Sequence, residues 1–94
     1  MPKIIKDGNF EEMYAEVCQE DHLLESEIQQ RIRWFKKNPD DTRLDNHSLT
    51  KKMAGQWAFS ITDDIRIVYE WSGKTTVRLL AIGGHKKVYK RKTK

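Results

Sequence analysis

Ninety-four residues with a net charge of +4 leave room for one small domain, not for a multidomain machine, and a chain this size buries only about 60 to 65% of its unfolded surface. Residues 1–42 carry six Lys or Arg against ten Asp or Glu, whereas residues 43–94 carry twelve against four. A lone Cys18 excludes an internal disulfide and suits a reducing cytosol, and no apolar run is long enough for a signal peptide or a membrane span.

The chain is therefore expected to be cytoplasmic, with no membrane partner. Cys18 lies among Val17, Gln19 and Glu20, with no basic neighbour to lower its pKa, so it reads as structural. The acidic-to-basic asymmetry favours a polyanionic partner for the second half, because neutralising phosphates releases counterions; a solvated basic face would give the same counts.

Residues 1–94 read as one continuous unit ending in a basic tail at 90–94. Lys3 to Lys6 suits a short edge strand, and Asp7-Gly8-Asn9 a turn in which Asn9 caps a first helix. Phe10, Met13, Tyr14 and Val17 give that helix one apolar stripe. A second helix opens at Asp21 or His22, with Leu24, Ile28, Ile32 and Phe35 on one side, and Trp34 beside that stripe reads as packing on the sheet, with a contact to a partner as the alternative. Asn38-Pro39-Asp40-Asp41 stops it. Beyond residue 42 the period becomes alternating: Trp57, Phe59 and Ile61, then Ile65, Ile67, Tyr69 and Trp71, then Val77, Leu79 and Ala81 mark three strands. Turns at Asp63-Asp64 and Ser72-Gly73-Lys74 join them into an antiparallel meander. The fold class is α+β: two N-terminal helices cover one face of a small twisted antiparallel sheet and leave the other as a groove.

The candidates for chemistry fall in the second half. His47 lies in a loop, and His85 follows Gly83-Gly84, where two glycines would let a ligand approach the backbone. His22 reads as a surface or capping residue. Arg66 alternates with apolar strand positions, so it faces either the groove or solvent. Asp64 could orient an imidazole or accept a proton, but spacing alone favours a turn residue. Paired cysteines, HExxH, calcium-loop spacing, GxGxxG and a P-loop are all missing, so no metal or other cofactor is expected.

The segments His47-Ser48-Leu49, Gly55-Gln56-Trp57, Asp64-Ile65-Arg66-Ile67-Val68-Tyr69 and Leu79-Leu80-Ala81-Ile82-Gly83-Gly84-His85-Lys86-Lys87-Val88-Tyr89 resemble, in order and spacing, the RelE/ParE superfamily of bacterial toxins, with the YafQ-type branch nearest. The resemblance spans roughly residues 10 to 90, with specific matches between residues 44 and 89. It implies the toxin of a type II toxin–antitoxin system: a ribosome-dependent endoribonuclease that halts translation. The implied partners are a cognate antitoxin and mRNA in the ribosomal A site, on the 30S subunit with its ribosomal RNA.

By the same resemblance, His47, Asp64 and His85 match family site positions. Arg66 matches the strand arginine of YoeB-like toxins, and Tyr89 a terminal aromatic. Two positions depart from the pattern: Ala81 stands where active relatives carry an arginine, and Ser60 near where YafQ-like toxins add a histidine. The implied chemistry is attack of a ribose 2'-hydroxyl on the adjacent phosphorus. It needs a base, an acid and donors for the phosphoryl oxygens. His85 is expected as the acid and His47 or Asp64 as the base, imidazole titrating near neutrality. Arg66 would hold the phosphate with help from Lys51 or Lys52. Arg78, Lys86 and Lys87 would add positive charge, and Tyr89 would stack on a base for roughly 1 to 3 kcal/mol. All of this requires that His47, His85 and Arg66 gather in one phosphate-sized pocket. Two alternatives stay open: a ParE-like gyrase inhibitor, and a weakened homologue that only binds antitoxin or RNA.

Overall fold

Strand β1 (Lys3–Lys6) ends at Asp7, whose carboxylate accepts the Phe10 N–H at 2.9 Å and so caps helix α1 (Gly8–Glu20). The expected cap, Asn9, lies two residues too late, already inside the helix. Its amide instead donates to the Leu80 carbonyl at 2.9 Å and docks the helix on the sheet. The computed structural model describes residues 2–90, apart from the side chains of His85, Tyr89 and Lys90. Most of the expected basic tail, residues 91–94, lies outside the described residues.

Asp21 closes α1 by donating its N–H to Val17, and its carboxylate accepts from Leu23 in the turn that follows. Helix α2 (Leu24–Lys37) therefore starts a little later than its apolar period alone suggested. It ends where Pro39 forces the preceding Asn38 into extended backbone, at φ −155° and ψ 100°. The rest of the sheet comprises β2 (His47–Ser48), β3 (Trp57–Ser60), β4 (Ile65–Ser72) and β5 (Thr76–Gly84), followed by a short helix α3 (His85–Lys90).

The strand order is β1-β5-β4-β3-β2. The three expected strands form an antiparallel meander, and β2 adds antiparallel to β3. β1, however, runs parallel to β5, so the sheet is mixed. A hairpin compels antiparallel pairing, whereas β1 reaches its neighbour only after both helices and the meander have intervened, and a long crossover permits the parallel sense. Among the described residues no helix is long and apolar enough to cross a membrane.

Packing fixes α2 on one face of the sheet. Phe35 stacks on Phe59 with ring centroids 4.6 Å apart and meets Tyr69 edge-on at 4.8 Å. All three side chains are fully buried, and truncating one such aromatic to alanine costs about 3 to 5 kcal/mol. Leu44, also fully buried, brings the segment after α2 back onto this core.

A polar tie fastens that segment. The Tyr69 hydroxyl donates to Asn46 Oδ1 at 2.8 Å, and the Asn46 amide donates to the Pro39 carbonyl at 2.9 Å. Burial pushes the Tyr69 phenol from 10.0 up to about 12. The folded state thus favours the neutral phenol. Its share of stability is complete below the ordinary phenol range and is lost as pH rises from 10.0 toward about 12.

Two outcomes follow. Asn46→Ala, which strands the Tyr69 hydroxyl and the Pro39 carbonyl, should lower urea-unfolding stability by about 1 to 3 kcal/mol. Phenolate absorbance should show one tyrosine with a midpoint of about 12 that vanishes in Tyr69→Phe; if every tyrosine titrates near 10.0, the hydroxyl is not buried as described.

Candidate functional site

Cross-strand partners share a face of the sheet, and alternate residues along a strand return to it. His47 lies opposite Ala58, Ser60 opposite Arg66, and Val68 opposite both Ala58 and Ala81. His47, Ala58, Ser60, Arg66, Val68 and Ala81 therefore occupy one face, while Phe59 and Ile67 carry the face that α2 covers. The small side chains Ala58, Val68 and Ala81 are fully buried. Beside them opens a pocket of about 560 Å³ lined by Asp45, His47, Ser48, Leu49, Thr50, Met53 and Arg66.

His47 lies on the edge strand β2, rather than in the expected loop. Its Nδ1 is 2.9 Å from the Asp45 carbonyl oxygen. A carbonyl only accepts, so Nδ1 carries the proton, and in the neutral ring Nε2 keeps a lone pair for proton uptake. The carbonyl is aimed this way because Asp45 adopts left-handed backbone, at φ 49° and ψ 46°, a region aspartate tolerates better than most residues.

Arg66 faces the same pocket from β4, half-buried. Its Nη1 donates to Ser60 Oγ at 2.7 Å and its Nη2 to the Asp63 carbonyl at 3.2 Å. Both acceptors are uncharged, so the guanidinium keeps its formal charge for an anion. Its Nε is buried without a hydrogen-bond partner among the described residues. Ser60, which stands near an expected histidine, thus orients the arginine instead.

The other expected site residues are distributed unequally. Asp64 is exposed in the β3–β4 turn, and its Oδ2 lies 2.9 Å from where a Cβ on Gly84 would stand. The space left by that glycine admits a carboxylate of the chain itself rather than a ligand. Lys51 and Lys52 are exposed on a 3-10 turn (Lys51–Met53) at the pocket's rim. Ala81 is fully buried and does not line the pocket. Arg78 is not brought to the pocket: it pairs with Glu70 at 3.7 Å, four residues along β4 from Arg66. Lys86 is exposed at the start of α3, and Lys87 reaches Glu16 of α1 at 3.4 Å. The side chains of His85 and Tyr89 lie outside the described residues, although their backbone belongs to α3.

A second cavity of about 290 Å³ shares Asp45 and Arg66 with the first and adds Arg31, Arg43 and Asp63 to its lining. These arginines and Asp45 had no role in the sequence reading. Arg43 binds the Asp41 carboxylate through Nε at 3.0 Å and Nη2 at 2.7 Å, and lies 3.6 Å above the Trp34 ring. Arg31 lies 4.9 Å from the same ring and donates to the Arg43 carbonyl at 2.7 Å. The Arg31–Trp34 spacing on a helix was a local sign of this contact; the approach of Arg43 is tertiary and left no such sign.

The side-chain hydrogen bond from Arg43 holds the Asp41 carboxyl down, from 3.8 to about 2. Any stability this contributes is present above the ordinary carboxyl value and is lost as pH falls through about 2.

Comparison with known proteins identifies relatives by fold. No protein-family model matches the chain, and no curated protein does. Among solved structures, the chain superposes on a YoeB/ParE toxin from Agrobacterium tumefaciens with a TM-score of 0.75 and 25% identity, over 88% of this chain and 98% of that one. It matches YafQ from E. coli with a TM-score of 0.77 and 16% identity, over 95% and 99% of the two chains. The E. coli DinJ-YafQ toxin-antitoxin complex matches at a TM-score of 0.75 and 16% identity, over 94% and 97%. At 16% identity the two YafQ matches speak for the fold alone.

Carboxyl-detected NMR should place the Asp41 midpoint at about 2 and raise it in Arg43→Ala, short of the ordinary 3.8 because the backbone N–H of residue 43 still donates to the carboxylate. A wild-type midpoint at 3.8 would remove the ion pair. Gly84→Ala should displace the Asp64 carboxylate, seen as a shift in its carboxyl resonance; an unmoved resonance would mean that the carboxylate does not occupy the space above the glycine.

Proposed function

Since the chain takes its place by fold in the RelE/ParE-like toxin superfamily, near YafQ and YoeB, we propose that it is the toxin of a type II toxin–antitoxin pair and a ribosome-dependent mRNA endoribonuclease. The observation that carries this is the meeting of His47 and Arg66 in one open pocket, the imidazole held in a single tautomer and the guanidinium bonded to uncharged oxygens.

In this mechanism, His47 Nε2 takes the proton of a ribose 2'-hydroxyl as that oxygen attacks the adjacent phosphorus. Arg66 meets the charge gathering on the phosphoryl oxygens, fixed in advance by Ser60 and the Asp63 carbonyl. His85, at the first residue of α3, protonates the departing 5'-oxygen, with Asp64 nearby over Gly84. Tyr89 supports the substrate from α3. The products are a cyclic phosphate and a free 5'-hydroxyl. Lys51 and Lys52 at the rim and Lys86 on α3 draw the RNA in. The partners are mRNA in the ribosomal A site and, as with YafQ held by DinJ, a cognate antitoxin; both place the protein in the cytoplasm.

Ala81 favours a second possibility, a homologue that binds antitoxin or RNA but cuts slowly. A guanidinium at this buried position would stand on the same face as Arg66, and its loss costs about a hundredfold in rate by analogy with removing one oxyanion donor. Arg78 is paired with Glu70 and does not line the pocket.

Purified protein added to translating ribosomes should cut A-site mRNA and leave cyclic-phosphate ends. His47→Ala and His85→Ala should each slow cleavage by about 100- to 10,000-fold, and Arg66→Ala by about 100-fold or more. Wild-type rates in both histidine variants would refute the assigned roles, and no cleavage by the wild type would favour the binding-only homologue.

A further inference from the structure

The cluster around Trp34 shows a feature that the proposed cleavage does not use. The Arg43 guanidinium lies 3.6 Å above the Trp34 ring, which covers one of its faces, and two of its nitrogens are held in plane by the two oxygens of Asp41. The side chain is nevertheless 57% exposed. A flat, delocalised cation is thus fixed in orientation with Trp34 on one face, and its side chain lines a cavity that also borders Arg66.

Two ligand chemistries suit an arginine beside an RNA pocket. A phosphate would need the in-plane N–H groups, and Asp41 already occupies Nε and Nη2 and offsets the charge. A nucleobase needs only the face, and arginine planes stack on bases as aromatic rings do. Trp34 and Asp41 meet the entropic cost of holding the plane before any ligand arrives.

The geometry points to Arg43, backed by Trp34 and clamped by Asp41, as a stacking platform for one nucleobase of the cut RNA strand, adjoining the phosphate held at Arg66. This rests on the ribonuclease reading and adds to it a base-binding subsite. Because the platform and Arg66 border one cavity, the stacked base belongs to a nucleotide neighbouring the scissile linkage.

The test uses ribosomes programmed with an mRNA whose A-site ribose is 2'-O-methylated, so that binding is read without cleavage, and scans single abasic positions through the codon. One abasic position should weaken wild-type binding by about tenfold. Arg43→Lys, which keeps the charge and loses the plane, should weaken binding of the intact mRNA by about tenfold, and the two losses should not add. A thermal melt checks that the variant folds; should it not, the abasic scan on the wild type still decides, because no sensitive position means no platform.

Arg43→Lys binding as tightly as wild type, or losses that add at every position, would overturn the platform. Loss of binding in Arg43→Lys with no sensitive mRNA position would move the base to ribosomal RNA and overturn the assignment to the cut strand. Cleavage of unmodified mRNA is measured in parallel. Unimpaired cutting and binding by Arg43→Lys would sink the platform alone. Coupled binding without any cutting by the wild type would sink the nuclease reading alone, and no binding to programmed ribosomes would sink both.

Discussion

The hydrogen bond from the buried Tyr69 hydroxyl to Asn46 is the constraint on which the geometry of the site depends. Tyr69 belongs to the aromatic core beneath α2, packed edge-on to Phe35. Asn46 belongs to the segment between α2 and β2 and ties back to the Pro39 carbonyl. The phenol thus couples the buried aromatic core to a segment with little regular structure. The residues on either side of Asn46 are Asp45, whose carbonyl fixes the imidazole, and His47 itself. A short segment held by a packed scaffold keeps the side chain that it carries in place.

The division of positive charge follows a second physical rule. Arg31, Arg43, Arg78 and Lys87 each meet a carboxylate of the chain, and pairs at the surface contribute little to stability. Their effect is on position and on which cations stay available. Arg66 differs, because its acceptors are a hydroxyl and a carbonyl. The net charge of +4 therefore says less about where an anion could be held than the placement of this one guanidinium does. Where a carboxylate has neutralised the edge of Arg43, the exposed face remains as a different kind of contact.

Much of the fold was legible because it is local. The apolar stripe from Phe10 to Val17, that from Leu24 to Phe35, and the alternation from Trp57 to Ala81 each report burial within one element, and all three became the elements they suggested. What escaped was set at a distance. β1 joins β5 in the parallel sense through residues far apart in sequence, and β2 is only two residues long, too short to show a period. In α3, Val88 is buried among lysines that hide any apolar stripe. The site divides the same way. Arg66 and His47 were visible as residue types on or beside strands, but their common face follows from strand register. Asp7 displaced Asn9 as the cap because the helix starts earlier than its first apolar residue suggests. Asp45 acts through its backbone, which a sequence does not display.

The claim that a single pocket unites a tautomer-fixed His47 with Arg66 is tested most directly by nitrogen-15 NMR of both side chains during titration with a nucleoside 3'-monophosphate. The neutral His47 ring should carry its proton on Nδ1, and the signals of His47 Nε2 and Arg66 Nε should move together along one binding curve. A proton on Nε2, or a ligand that shifts one residue and leaves the other unchanged, would contradict the account.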